Sequence, residues 1–596
     1  MNAWRASMAR FFAGPSRWLV LGLMVGIASG FIAACFFASL EIATHFTFGT
    51  LAGMPPLAPP GDRLLDVPGH IAAEPRPWVV FFLPALGGLV SGWLVYRYAP
   101  ETEGHGTDEM IRAFHQQRGL IRARVPLVKG VATVFTLASG GSAGKEGPIA
   151  QIGAGVGSVL AQRLGLSVRD RRILLLAGVA GGLGAIFRAP LGSAITAIEV
   201  LYREDFESDA LIPCVISSVS AYVVFVLLVG STRIFATPEF PLVSPAELPG
   251  YSLLALLCAP VGRLYIWLFY AARDRFFRRL PLPKPLVPMV GGFGVALLGL
   301  MVPQAYGTGW GWIQQALDGK LALRALALAA LAKIVATSFT IGSGGSGGVF
   351  GPTLFIGAML GGLVGFTGQA LLPDLFPHPS AYVLVGMASF FAGVASAPIG
   401  AMLMVAEMTG GYSLLPALML VSFVAIVLQR GHSIYTYQVK DRFRSPAHAG
   451  DLVMNVLEEM RVADIFRPMQ VVASVAPAAG FDAVRQLVLS SPETTIAVVD
   501  EMGSLVGLLT ADHIRMVIDD HQLDRFVVAS DICAPAVSVY PDDDLFRAHQ
   551  LFHLSGCPQI PVRSAPSDGS PRIVGMLDYR DVMRAYESEV SRRRQD

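Results

Sequence analysis

The sequence predicts an all-α polytopic membrane protein followed by a soluble α/β tail, and three observations support this fold class. The chain of 596 residues is 53% hydrophobic and only 15% charged, whereas soluble domains carry about 25% charged residues. Two glycine-rich segments of the apolar part repeat after about 200 residues. Beyond residue 440 the apolar segments end, and strand-like runs alternate with helix-like runs.

Three long uncharged segments, residues 18–40, 210–232 and 380–406, are predicted to cross the membrane. Each reaches the roughly 20 residues that a helix needs to span a bilayer. The basic start of the chain resembles a signal peptide, but the apolar run that follows is too long for one and has no convincing cleavage site. We therefore expect a retained helix, with the N-terminal segment 1–17 in the cytoplasm because Arg5, Arg10 and Arg17 favour that side.

Composition argues against several classes of function. The formal net charge is +1 and the basic residues are dispersed, so nucleic-acid binding is not expected. The five cysteines lack the spacing of a disulfide framework or a zinc site. The apolar part of the sequence has no nucleophile with its base, no cluster of metal ligands and no HExxH motif, which argues against a membrane-bound enzyme.

The chain is predicted to divide into a membrane part (residues 18–440), a linker (441–458) and a tail. The polar stretch QVKDRFRSPAHAGD, residues 438–451, indicates the boundary. In the tail, TIAVVD and LVGLLT are typical of strands, while FDAVRQLVL and DLFRAHQLFHL are typical of helices. The pattern recurs after about 65 residues, which predicts two packed units at 459–522 and 523–596.

Segments 141–149 and 344–352 are the glycine-rich repeats, and each leads into an apolar helix. At membrane depth, free backbone amides are tolerated only next to protein or a water-filled cavity. Such amides form an anion site together with the positive end of the helix dipole, and Pro148 and Pro352 suit a first helical turn. The alternative is that these glycines only let helices pack closely.

The presence of Glu146 favours an anion site over close helix packing as the interpretation of these segments. A carboxylate in a membrane helix costs about 2.5 to 3.5 kcal/mol, so its default interpretation is functional. A buried ion pair with Lys145 is the alternative, but adjacent helical residues point in different directions and pair poorly. We expect Glu146 to face the cavity and to compete with an anion for the helix amides. It would block the site when ionised and open it when protonated or displaced.

With these motifs the membrane part resembles the CLC family of chloride channels and transporters. GKEGP at 144–148 matches the family's G(K/R)EGP motif, GGVFGP at 347–352 matches GxFxP, and SIYTYQV at 433–439 supplies a tyrosine after the last membrane helices. Both halves of the tail resemble CBS domains. The resemblance implies the CLC fold, with two inverted repeats of tilted and broken helices. It also implies a homodimer with one chloride pathway per subunit, in a bacterial inner membrane with both termini in the cytoplasm.

The resemblance also implies roles for individual residues. Glu146 would be the gating glutamate, the amides of Val349 and Phe350 would bind the central anion, and Tyr435 would donate its hydroxyl to it. A partly dehydrated halide needs a few fixed donors and no competing water, which suits these apolar surroundings. The full set of expected anion-binding residues is His105, Gly106, Gly147, Val349, Phe350 and Tyr435.

GHGTDE at residues 104–109 departs from the family's usual GSGIPE. His105 stands where the family has a serine whose hydroxyl helps to hold the anion. Histidine can donate an N–H group and can take up a proton, so the anion affinity or the pH response would differ. Alternatively, the amides of Gly104 and Gly106 coordinate the anion and His105 points away.

FRAPLGSAITAIEV at residues 187–200 departs from the family's exchangers, whose inner proton-relaying glutamate is replaced here by Val200. Valine cannot carry a proton, so the sequence favours a passive, voltage- or pH-gated chloride channel. A proton-coupled chloride antiporter is the alternative. Glu199 and Glu204 belong to its candidate proton path, and Glu204, water or His105 would be the relay. Transport of another ion is a remote alternative, since glycine-rich helix starts favour anions.

The tail carries incomplete versions of the G-h-h-T-x-x-D stretch with which CBS domains often bind an adenine nucleotide. GLLTADHI keeps Thr510 but has His513 in place of the aspartate, and GMLDYRDV keeps Asp581 but has Asp578 in place of the threonine. A purely structural tail is therefore favoured over a nucleotide-binding one. No other cofactor and no metal is expected.

Overall fold

The structure is a computed structural model that describes residues 16–54, 57–64, 76–241, 243–448, 456–466, 468, 472–491, 493–515, 526–564 and 572–595. The chain divides into two compact units, Met1–Ala447 and His448–Asp596. Most of the predicted N-terminal segment 1–17 lies outside the described residues. So do residues 449–455 of the predicted linker and the predicted boundary between the two tail units.

The described residues of the first unit form two successive sets of helices. The first set comprises α1 (Arg17–Thr44), α2 (Pro77–Tyr98), α3 (Thr107–His115), α4 (Arg124–Ala138), α5 (Glu146–Arg163), α6 (Val168–Phe187), α7 (Pro190–Glu199) and α8 (Leu211–Val229). The second set comprises α9 (Leu248–Ala271), α10 (Val287–Met301), α11 (Trp310–Leu317), α12 (Leu323–Gly342), α13 (Phe350–Leu371), α14 (Pro379–Ala395), α15 (Pro398–Thr409) and α16 (Leu415–Leu428). The sets correspond helix by helix, which confirms the predicted duplication.

Several of these helices are long and apolar enough to cross a membrane. Among the described residues they are Arg17–Leu51, Pro77–Tyr98, Ser208–Val229, Pro245–Arg279, Lys284–Met301, Leu323–Gly342 and Phe350–Leu371. The predicted span 18–40 falls within the first of them, and the predicted span 210–232 overlaps Ser208–Val229 but extends past its end. Length and composition thus bear out a protein that passes through the membrane repeatedly.

The predicted span 380–406 is wrong as a single helix, because it forms α14 and α15. The chain breaks at Ser396, whose φ of 55° is left-handed, and Pro398 begins the next helix. Proline lacks the N–H group that would continue a helix, and it restricts the residue before it. The first set breaks in the same way, at Arg188 with φ 51° before Pro190.

The helices that follow these breaks, α7 and α15, cap each other. Glu199 at the end of α7 accepts hydrogen bonds from the N–H groups of Ile399 and Gly400 at the start of α15, at 3.1 and 2.8 Å. Glu407 of α15 accepts one from Gly192 N–H at the start of α7, at 2.7 Å. Each carboxylate satisfies free amides at the positive end of the other helix. The two helices therefore run antiparallel, as expected of inverted repeats.

Glycines let the helices of each set cross at close range. A Cβ atom on Gly153 of α5 would collide with the carbonyl oxygen of Gly178 on α6, and the reverse is also true. Gly357 of α13 and Gly386 of α14 face each other in the same way. Close packing therefore accounts for these glycines, as it does for small residues at many membrane helix interfaces.

The second unit is an α/β tail with two similar halves. The first half contains α17 (Val462–Ile465), β1 (Ser474–Val475), α18 (Phe481–Ser490), β2 (Thr495–Val499), β3 (Leu505–Thr510) and α19 (Ala511–Arg515). The second half contains α20 (Ala529–Ile532), β4 (Ala534–Pro535), α21 (Leu545–Ser555), β5 (Gln559–Arg563), β6 (Ile573–Asp578) and α22 (Tyr579–Gln595). Strands β1 to β4 form one sheet in that order, and β5 pairs with β6. The predicted strands and helices are confirmed.

The two halves of the tail are interlocked. Val462 N–H, near the start of the first half, donates to Asp543 O in the second half at 2.9 Å. Ala529 N–H, at the start of the second half, donates to Ala479 O in the first half at 2.9 Å. Each half thus packs its opening segment on the other half, and the two predicted units are not independent of each other.

Replacing Gly178 by valine will force α5 and α6 apart, because the new side chain collides with the backbone of Gly153. Overpacking of this kind costs about 1 to 3 kcal/mol. We expect a lower melting temperature of the purified protein in detergent, measured by tryptophan fluorescence. Gly411→Ala is the control, since nothing lies within 4 Å of a Cβ atom there. Equal melting temperatures for the two variants would contradict this packing.

Glu199→Ala and Glu407→Ala each remove one of the two reciprocal caps. Loss of a side-chain helix cap costs about 0.5 to 2 kcal/mol, and the two variants should lose similar stability because their contacts are equivalent. Glu204→Ala is the control, since its pair with Arg430 is exposed and exposed pairs contribute little. If Glu199→Ala melted at the temperature of the wild type, the capping role of Glu199 would be wrong.

Candidate functional site

The two glycine-rich segments meet directly. Gly144 and Gly348 form an antiparallel backbone bridge with N···O distances of 2.7 and 2.8 Å. Two residues further on, Glu146 begins α5 and Phe350 begins α13. The first four N–H groups of each helix lack a partner within the helix, so the bridge brings the positive ends of two helix dipoles together. Such an arrangement attracts an anion.

Glu146 places its carboxylate against these amides. The side chain is fully buried, and its Oε2 accepts a hydrogen bond from Gly351 N–H at 3.1 Å. Its Oε1 has no hydrogen-bond partner among the described residues. A Cβ atom on Gly144 would collide with this carboxylate, and one on Gly351 would lie 2.8 Å from it. Glycines thus make room for the carboxylate beside the start of α13.

Lys145 does not pair with Glu146. Its ammonium group forms an ion pair with Asp62, and it lies 4.8 Å from the ring centroids of Phe37 and Trp310. These contacts neutralise a buried cation and surround it with aromatic faces. The ion pair between adjacent residues, considered as the alternative for Glu146, is therefore excluded.

A small cavity adjoins Glu146 and brings several predicted residues together. Its lining consists of Thr107, Met110, Glu146, Ala150, Val179, Leu183, Thr196, Val200, Phe350 and Tyr435. Tyr435 is buried, and its hydroxyl has no hydrogen-bond partner among the described residues. Thr107 and Thr196 are lining residues with a hydroxyl group that the sequence analysis missed. For Thr107 there was a sequence signal. The signal was present in GHGTDE, where a hydroxyl is absent at position 105 but present two residues later.

His105 lies beside Tyr435 and is not one of the residues that line this cavity. The two ring centroids are 5.5 Å apart, and His105 Nε2 is 4.0 Å from Asp108 Oδ2. Gly106 and Gly147 mark a close contact between this loop and α5: a Cβ on Gly147 would collide with His105 O, and one on Gly106 would lie 2.9 Å from Gly147 O. This close contact explains why glycine is present at both positions. The roles of the two amides as anion ligands stay predictions.

Two buried lysines that the sequence analysis missed hold the loops before α3 and α11. Lys129 Nζ donates to Gly104 O at 2.7 Å, and Lys333 Nζ donates to Gly307 O at 2.6 Å. They occupy corresponding positions in the two sets of helices. Their signal was a single lysine in each of the apolar segments that form α4 and α12, because an intramembrane charge is expensive and rarely idle.

The three residues of the candidate proton path lie in different parts of the membrane unit and make different contacts. Val200 lines the cavity, whereas the carboxylate of Glu199 caps α15. Glu204 pairs with Arg430 at 3.2 Å, and the Glu204 side chain is 39% exposed. Of these three, Val200 is the one that lies on the cavity.

The candidate nucleotide-binding residues of the tail form polar contacts with residues close to them in the sequence. The hydroxyl of Thr510 lies 2.9 Å from Nδ1 of His513. Asp578 accepts a hydrogen bond from Arg580 N–H at 2.8 Å, and Asp581 lies 3.6 Å from the guanidinium of Arg584. These contacts give each side chain a local structural role.

Comparison with known proteins agrees with this geometry. The family model described as "Voltage gated chloride channel" matches residues 87–430, and the one described as "CBS domain" matches residues 529–588. A "Putative chloride channel protein ClcB-like" of Ralstonia nicotianae is 33% identical over 354 residues, which are 59% of this chain and 82% of that protein. The "H(+)/Cl(-) exchange transporter ClcA" of Vibrio cholerae is 31% identical over 433 residues, which are 71% of this chain and 89% of that protein.

Among solved structures, the fold is similar to that of a slow cyanobacterial Cl-/H+ antiporter. The TM-score is 0.63 at 25% identity, over 70% of this chain and 96% of that chain. The tail matches the CBS model in its second half and repeats the same order of strands and helices in its first. With two inverted sets of helices, two glycine-rich helix starts and a CBS pair, the chain belongs to the CLC family of voltage gated chloride channels and transporters.

Proposed function

We propose that this protein transports chloride across the membrane through a pathway gated by Glu146. The observation that carries the proposal is the hydrogen bond from Gly351 N–H to Glu146 Oε2 at the start of α13. In this position the carboxylate occupies a donor that an anion would otherwise use. An ionised Glu146 therefore blocks the pathway, and a protonated or displaced Glu146 opens it.

The amides of Val349 and Phe350 and the hydroxyl of Tyr435 are the proposed ligands of the central anion. In support, Phe350 and Tyr435 line the cavity next to Glu146, and Tyr435 has a buried hydroxyl without a partner among the described residues. A buried donor left unpaired costs about 1 to 3 kcal/mol, which an anion would offset. The apolar lining excludes competing water, so a few fixed donors suffice for a halide. Chloride is favoured by the descriptions of the family and of the relatives.

Conduction is proposed to be passive. The cavity carries Val200 where a proton relay would need a titratable group. Glu199 is committed to the N–H groups of α15, and Glu204 to a surface pair. With these two carboxylates engaged elsewhere, none of the three candidate relay positions offers a free acidic side chain to a proton that neutralises Glu146.

Proton-coupled exchange is the second candidate, and one observation favours it. The relative ClcA and the cyanobacterial structure are both described as proton-coupled. His105 would be the proton carrier in that case, since it lies beside Tyr435 and 4.0 Å from Asp108.

We further propose a homodimer in a bacterial inner membrane, with both termini in the cytoplasm and one anion pathway in each subunit. The basic residues near the N-terminus support this orientation. The CBS pair is proposed as a structural support for the dimer, because Thr510, His513 and Asp578 already bind neighbouring groups in the tail. Nucleotide binding at this pair is the less favoured alternative.

Glu146→Gln removes the charge of the gate and keeps its size. We expect chloride efflux from liposomes that no longer depends on pH, because glutamine neither ionises nor takes up a proton. The wild-type protein and Glu204→Gln should both slow as pH rises, since Glu204 lies in an exposed surface pair. An unchanged pH dependence in Glu146→Gln would rule out this gate, and absence of chloride flux in the wild type would rule out the function.

Proton movement against its gradient separates the two candidates. Liposomes with the wild-type protein, a chloride gradient and a proton-sensitive dye should show chloride flux without uphill proton movement. Liposomes with Glu146→Gln measure the passive proton leak. Uphill pumping in a fixed ratio to chloride would overturn passive conduction and establish exchange.

A further inference from the structure

We propose that the hydroxyl group of Thr107 is a direct ligand of the anion and that, with Tyr435, it sets the preference of the site among anions. This inference rests on the proposed function and names a ligand that the family resemblance did not supply. It also explains how the loop GHGTDE can serve an anion without a hydroxyl at position 105.

The position of Thr107 carries the inference. It is the first residue of α3 and is 6% exposed. It lines the cavity together with Glu146, Phe350 and Tyr435. A Cβ atom on Gly147 would lie 3.4 Å from Thr107 Oγ1, so the hydroxyl lies against the first turn of α5. Thr107 therefore lies beside the helix start that carries the gate.

The other polar groups of the cavity are committed or already assigned. The hydroxyl of Thr196 donates to Gly192 O at 2.8 Å. The carboxylate of Glu146 accepts hydrogen bonds and repels an anion when ionised. The hydroxyls of Thr107 and Tyr435 are thus the two remaining side-chain donors on this lining, and they lie close to each other. Hydrogen bonds to a charged partner are stronger than neutral ones.

The backbone explains why position 107, and not 105, faces the cavity. Gly106 has φ 81°, a conformation in the left-handed region that only glycine adopts readily, and it turns the chain between the two residues. Lys129 fixes the loop through Gly104 O at 2.7 Å. The ring of His105 packs between Tyr435 and Phe269, at 5.5 and 6.2 Å between centroids.

Threonine also restricts the direction of its donor. A β-branched side chain has few χ1 rotamers, so the hydroxyl has few directions open to it in the cavity. Valine has nearly the same shape but no donor. Replacing Thr107 by valine is therefore expected to weaken chloride binding about 10- to 100-fold, as expected for one lost hydrogen bond to a charged group.

The test uses the purified full-length protein and measures chloride binding by calorimetry, together with the relative flux of chloride, bromide and nitrate in liposomes. We expect Thr107→Val to weaken chloride binding and to alter the order of anions, and Thr107→Ser to keep both near wild type. His105→Phe keeps the ring packing against Tyr435 and removes the nitrogen atoms, so it tests the rival ligand.

The outcomes separate this inference from the proposed function. Wild-type chloride binding and anion order in Thr107→Val would overturn the inference while chloride transport stands. So would a loss of affinity in His105→Phe with none in Thr107→Val. A wild type that neither binds nor transports chloride would overturn both. If Thr107→Val did not fold, Thr107→Ala would take its place, and recovery of affinity in Thr107→Ser would support the hydroxyl as ligand.

Discussion

The backbone bridge between Gly144 and Gly348 is the contact on which the membrane unit depends. It joins the two sets of helices at the residues that precede α5 and α13, so that two helix N-termini share one small volume. Free amides need hydrogen-bond acceptors, and the positive ends of helix dipoles favour negative charge. Glu146 supplies that charge from within the chain, and under the proposed function a transported anion supplies it from outside.

Several charged side chains in the interior of this unit hold backbone groups or another charge. Lys129 and Lys333 bind loop carbonyls, and Glu199 and Glu407 bind helix amides. Glu146 also holds backbone, through Gly351 N–H, but its Oε1 has no hydrogen-bond partner among the described residues. A buried carboxylate oxygen without a partner is costly and calls for an explanation in function, which the gate provides.

Sequence patterns predicted the duplication, the two glycine-rich helix starts and the division into membrane unit and tail. Repeats and composition can be read from the order of the residues without knowledge of the three-dimensional contacts. They joined α14 and α15 into one span, since an apolar composition does not reveal the left-handed residue Ser396. They missed Thr107, because the direction of that side chain depends on the backbone at Gly106. Sequence patterns also could not predict the contacts of Glu199, since its partners Ile399 and Gly400 lie some 200 residues away in the chain.

The equivalence of the two sets of helices leads to a further consequence. Gly144 and Gly348 correspond, as do Lys129 and Lys333, but Glu146 corresponds to Phe350. The two sets are similar but not identical, since corresponding helices differ in length. The two helix starts that meet at the bridge nevertheless offer similar backbone amides, and side chains make them different. Under the proposed function, the single carboxylate at position 146 thus makes two similar helix starts unequal, because one carries its own negative charge and the other leaves its amides to the anion.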